Sequence, residues 1–135
     1  MSTLKWEPSL SVGVEEMDLE HQKLISLMDS LYQLDSQNAD FAKIVECFLA
    51  LKEFTEKHFR DEEAFMKSID YPDFSTHQLI HQTLLRQIEE LEKEAVSEQK
   101  LPNRTFAFLN MWLKAHIKGI DMKYGPNYVA LDKAS

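Results

Sequence analysis

Apolar residues recur every three or four positions through four long stretches of the chain, and polar or helix-breaking residues interrupt that rhythm between them. In the first stretch His21, Leu24, Ile25, Met28, Leu31 and Tyr32 share one face, which predicts a helix over residues 18–36 with Asp18 as its cap. The polar segment that starts at Asp35, "DSQNAD", then reads as a loop. A second helix is expected over residues 40–67, where Phe41, Ile44, Phe48, Leu51, Phe54, His58, Glu62 and Phe65 keep helical spacing. It ends at "IDYPDF", because Pro72 disfavours helical geometry at Tyr71. The third helix, over residues 73–95, carries Phe74, His77, His81, Leu84, Leu85, Ile88 and Leu91 on its inner face. The fourth, over residues 103–119, turns Phe106, Leu109, Trp112, Leu113 and His116 inward, and Asn103 is placed to cap it. Amphipathic helices joined by short links predict an all-α, antiparallel up-down-up-down four-helix bundle. An N-terminal arm over about residues 1–16 precedes it and a short C-terminal helix or turn follows, so residues 1–135 read as one domain.

Composition strengthens this picture. With 135 residues, 44% of them hydrophobic, the chain can bury one sizeable core, and three glycines and four prolines are few for a turn-rich β architecture. A net charge of −8, spread along the chain, repels phosphate backbones and argues against nucleic acid as a partner. No apolar run is long enough to enter a bilayer as a spanning helix, and the first residues do not resemble a secretion signal. Cys47 is the single cysteine, so an internal disulfide is impossible and a cytoplasmic home is expected. Beside Ile44, Val45 and Phe48 it reads as an inert, partly buried thiol, and Trp6 as packing for the arm.

The histidines change the picture most. There are five, and His21, His58, His77, His81 and His116 all lie on the apolar stripe of their own helix. Burying that many imidazoles without partners would cost on the order of 1–3 kcal/mol for each unsatisfied group, and a metal would supply the partner. Positions four apart on a helix differ by about 40° around the axis and about 6 Å along it, so His77 and His81 can converge on one ion. His58 and Glu62 share that spacing, and the two oxygens of the carboxylate can hold one metal or bridge two. Asp121 follows His116 by five residues, which leaves it about 140° away in an ideal helix unless the backbone loosens at Gly119. Five histidines and two carboxylates exceed what one tetrahedral zinc can use and suit two octahedral-leaning transition metals sharing bridges. The zinc-protease pattern fails, because residue 78 is Gln where that motif needs Glu. The Glu-x-x-His pairs of carboxylate-rich di-iron bundles are also absent. A site rich in neutral imidazole stabilises high oxidation states poorly and favours reversible binding.

In order along the chain, the ligand candidates are His21, then His58 with Glu62 in "HFRDE", His77 with His81 in "HQLIH", and His116 with Asp121 in "HIKGID". That ordered set, with "SVGVEEMDLEHQ" from Ser11, "WLKAHI" from Trp112 and "DMKYGP" from Asp121, resembles the hemerythrin family in its single-domain bacterial form. The resemblance implies two iron ions joined by an oxo or hydroxo bridge, with dioxygen binding reversibly at a free position on one of them. His77, His81 and His116 would hold one iron, His21 and His58 the other, and Glu62 and Asp121 would bridge them. The oxygen pocket must be dry, and Leu24, Phe59, Trp112, Leu113 and Ile117, each within four residues of a ligand candidate, are placed to wall it. Asp61 and Glu63 flank Glu62 and read as a solvated face. The implied function is oxygen storage, transport or delivery, serving an oxygen-consuming enzyme as partner, and not catalysis. The alternatives are oxygen or redox sensing through a separate signalling partner, and peroxidase, nitric-oxide or iron handling.

Overall fold

All four apolar stripes close into α-helices in the computed structural model, which describes residues 5–119. After a 3-10 turn at Pro8–Leu10, the helices are α1 (Glu15–Ser36), α2 (Phe41–Ser68), α3 (Phe74–Glu98) and α4 (Thr105–Gly119). Among the described residues there is no strand, and no helix is long and apolar enough to cross a membrane.

Two helix starts differ from the sequence expectation. α1 begins at Glu15, so Asp18 lies inside the first turn and not at the cap. Its carboxylate faces back along the chain, accepting from the Ser11 hydroxyl at 2.5 Å and from the Val12 amide at 2.8 Å. Asp18 therefore straps the N-terminal arm to α1, and the arm buries Leu10, Val12 and Val14 while Trp6 packs alongside. α4 begins at Thr105, two residues beyond Asn103, and the buried Thr105 hydroxyl donates to the Pro102 carbonyl at 2.7 Å. α3 runs on to Glu98, past the expected end at residue 95.

Three helices end in the same way. Asn38, Asp70 and Gln99 each take a left-handed conformation, with φ of 54°, 51° and 58°. The next amide then bonds back five residues, Ala39 to Leu34, Tyr71 to Met66 and Lys100 to Ala95, at 3.0–3.2 Å. This closes the last carbonyls and reverses the chain within a few residues. Short reversals force neighbouring helices antiparallel, as cross-helix pairs confirm. From α2 to α3, Glu63 pairs with Gln78 and Lys52 with Glu92, so numbering falls on one helix as it rises on the other. Between α1 and α4, Tyr32 meets Phe106 edge-on at 5.3 Å.

The core divides along the bundle axis. Toward the C-terminus of α1 it is hydrocarbon, with Met28, Leu31, Phe48, Leu91 and Leu109 all buried. Toward the N-terminus of α1 and the C-terminus of α4 it turns polar. Among the described residues the buried polar groups are Thr55, Thr105, five histidines and Glu62. Thr55 satisfies its hydroxyl on the Leu51 carbonyl at 2.7 Å, as Thr105 does on Pro102, which leaves the histidines and Glu62 to account for.

Candidate metal centre

Every helix delivers imidazole to one place. His21 comes from α1, His58 and Glu62 from α2, His77 and His81 from α3, and His116 from α4, all at most 3% exposed. They fall into two groups that share Glu62. In one, Glu62 Oε1 lies 2.9 Å from His77 Nε2, 2.8 Å from His81 Nε2 and 3.3 Å from His116 Nε2. In the other, Glu62 Oε2 lies 3.5 Å from His58 Nε2 and 3.8 Å from His21 Nε2. One oxygen thus faces three imidazoles and the other faces two, and within each group the potential ligand atoms lie within 4.8 Å of one another. Asp121, the seventh residue of the expected set, lies outside the described residues.

The tautomers test whether this cluster fits a metal. His58 Nδ1 is 2.7 Å from Glu20 Oε1, and His81 Nδ1 is 2.9 Å from Glu63 Oε2. An ionised carboxylate only accepts, so each Nδ1 carries the proton and each neutral ring presents a lone pair at Nε2. For His81 that lone pair then faces a carboxylate oxygen at 2.8 Å and His116 Nε2 at 3.2 Å. Acceptor facing acceptor is repulsive unless a proton or a metal cation stands between them, and an Nε2 that donates its proton to Glu62 in the metal-free protein would exchange that proton for a metal. His58 Nε2 is likewise buried, with no hydrogen-bond partner. Two donor atoms each about 2.1 Å from a common ion, and at right angles around it, lie about 3 Å apart. The His77–Glu62, His81–Glu62 and His81–His116 separations of 2.8–3.2 Å match that spacing for one transition-metal ion, and His21, His58 and Glu62 form a second, wider group of potential ligands beside it.

The electrostatics agree. Burial alone would raise the Glu62 carboxyl, but His58 and the hydrogen-bonding imidazoles of His116, His21 and His77 together outweigh it and hold the group well below 4.5. Glu62 is therefore an anion at neutral pH, the form in which a carboxylate can bind a metal.

Sequence reasoning missed the outer carboxylates. Glu63, read as part of a solvated face, bonds to His81 on α3 and accepts from the Gln78 amide at 2.9 Å. Glu20 drew no attention, yet it holds His58 on α2. Each is the chain neighbour of a site residue, Glu20 of His21 and Glu63 of Glu62. A step of about 100° carries it off the inward face to the seam with the next helix, where it meets that helix's histidine. A glutamate beside each of these two ligand candidates was the available signal. Asp61 does stay at the surface, paired with Lys57 at 2.6 Å.

The five pocket candidates are all buried: Leu24, Phe59, Trp112, Leu113 and Ile117. Phe59 stacks on His81 and meets Trp112 edge-on at 5.8 Å, and Trp112 meets His116 at 5.8 Å. An apolar aromatic wall therefore backs the three-imidazole side.

The family model "Hemerythrin HHE cation binding domain" matches residues 12–128. A myohemerythrin of Riftia pachyptila is 32% identical over 122 residues, covering 90% of this chain and 91% of its own length. A bacteriohemerythrin of Clostridium acetobutylicum is 28% identical over 124 residues, covering 88% of this chain and 96% of the relative. The solved structure of a wild-type hemerythrin superposes with a TM-score of 0.84 at 26% identity, covering 91% of this chain and 95% of that one.

Proposed function

The chain belongs to the hemerythrin family, and from that premise we propose that it binds dioxygen reversibly at a non-haem di-iron centre. The observation that carries the proposal is the division of Glu62, with three imidazole nitrogens facing Oε1 and two facing Oε2. In this reading His77, His81 and His116 would hold one iron through Nε2 and His21 and His58 would hold the other, with Glu62 and, by its place in the family pattern, Asp121 as carboxylate ligands to both. The irons, when bound, supply the electrons that dioxygen draws on as it binds and returns as it leaves.

The protein's own part is positioning and exclusion. Glu20 and Glu63 keep the proton on Nδ1 of His58 and His81, which leaves Nε2 free to donate. Phe59, Trp112, Leu113, Leu24 and Ile117 surround the ligands with hydrocarbon, so water and protons that would strip the bound gas are kept out. Neutral imidazoles predominate over carboxylates, which favours the lower oxidation states and hence release over turnover. Among the described residues every buried histidine and carboxylate belongs to the ligand cluster, which leaves no further imidazole or carboxylate inside to serve as a general acid or base. With a single, partly buried cysteine, the reading places the protein in the reducing cytoplasm, holding oxygen for a consuming partner.

Anaerobic reconstitution with ferrous iron tests this. Admitting air should give a coloured adduct that bleaches when oxygen is removed and returns over repeated cycles. Permanent oxidation on the first cycle would overturn oxygen carriage in favour of redox sensing or catalysis.

A further inference from the structure

Glu20 and Glu63 stand outside the set that faces the metals, yet each holds a histidine across a helix seam. Glu20 on α1 accepts from His58 on α2 at 2.7 Å, and Glu63 on α2 accepts from His81 on α3 at 2.9 Å. The two bonds serve different halves of the centre, because His58 faces Oε2 of Glu62 whereas His81 faces Oε1. Their supports differ too. The other oxygen of Glu63 is clamped by a neutral amide, that of Gln78. The other oxygen of Glu20 lies 3.3 Å from Lys57, which is shared with Asp61 at the surface.

We propose that Glu20 and Glu63 are positioning residues that govern metal retention separately, Glu20 at the two-histidine position and Glu63 at the three-histidine position. The inference rests on the two-metal reading above. A carboxylate on Nδ1 fixes the tautomer and ring angle of the imidazole and raises the donor strength of Nε2. Removing it weakens one ligand. At the two-histidine position that ligand is half of the imidazole set, and at the other position a third. Glu20 therefore controls the weaker hold, and it does so from a side chain that is only 15% exposed but tied to surface charge.

The test is anaerobic transfer of ferrous iron from the loaded protein to a chelating dye, followed by absorbance, for the wild type and for Glu20→Gln and Glu63→Gln. Glutamine keeps the shape and an acceptor oxygen while removing the charge. Glu20→Gln should speed release of one iron by about tenfold or more and leave the second unchanged, splitting the time course if the wild type shows one phase. Glu63→Gln should speed release of the other iron, by a smaller factor. Circular dichroism of the metal-free variants should match the wild type, which separates lost retention from lost fold. If both substitutions speed both irons alike, or neither changes any rate, while the wild type yields two irons, this inference fails and the two-metal reading stands. A wild-type chain that yields one iron or none overturns both.

Discussion

Phe59 lies flat on His81, with ring centroids 3.8 Å apart and planes 3° from parallel. Glu63 fixes where the His81 ring points along its edge, and Phe59 fixes the plane in which the ring sits. Two restraints in different directions leave the ligand no rotational freedom. Phe59→Ala should destabilise the metal-free chain by about 3–5 kcal/mol, read from the denaturant midpoint, because a buried phenyl is lost and a cavity remains. Phe59→Leu keeps most of the volume and should cost about 1 kcal/mol, while iron release from the three-histidine position still quickens. Unchanged release in Phe59→Leu would show that Glu63 alone holds the ring.

Leu113 is fully buried one turn before His116. Replacing it with serine brings a hydroxyl and space for water next to the site, so autoxidation of the oxygen-bound form should accelerate severalfold, measured by decay of its colour in air. The exposed Met111, two residues earlier, provides the control. If Leu113→Ser and Met111→Ser decay at the wild-type rate, Leu113 is not part of the barrier.

In the metal-free chain Glu62 is held well below 4.5, because His58 and the imidazoles of His116, His21 and His77 outweigh the effect of burial, and the sign of the pH dependence follows from that depression. A carboxyl whose folded value lies below its unfolded one adds stability that is complete above about pH 4.5 and is lost as pH falls through the folded value. Glu62→Gln should flatten that acid limb in urea midpoints, and an unaltered limb would assign it to other carboxylates.

Gln99 holds the left-handed conformation at the end of α3 with φ of 58°. Glycine adopts that conformation without the Cβ clash, so Gln99→Gly should raise stability by up to about 1 kcal/mol. The loss of the Gln99 side-chain bond to the Val96 carbonyl, at 2.8 Å on the surface, offsets only part of the gain. A lower denaturant midpoint would mean that this bond outweighs the backbone strain.

The parts legible in the sequence are those governed by position on a single helix. Apolar spacing placed four helices, and His58 with Glu62 and His77 with His81 lay one turn apart on inward faces, where the structure brings them together. What depended on the partner across a seam was not legible. Glu20 and Glu63 look solvent-directed on their own helices, and only the packing of α1 on α2 and of α2 on α3 turns them toward His58 and His81. Asp18 failed as a cap for a related reason: the arm folds back to reach it, and the helix starts one turn earlier at Glu15. The approach of Asp121, which geometry on one helix left unresolved, falls outside the described residues.

The division of the core between a hydrocarbon end and a histidine end means that the molecule should not loosen evenly when iron is withdrawn. Met28, Leu31, Phe48 and Leu109 are buried as hydrocarbon with no metal-ligating atom, whereas the imidazoles would lose the shared cation that they converge on. Amide exchange in the stripped protein should then grade along the bundle, slow near the C-terminal turns of α1 and fast near the N-terminal turns of α3. Opening from that end alone would let an empty chain admit its ions without unfolding the rest.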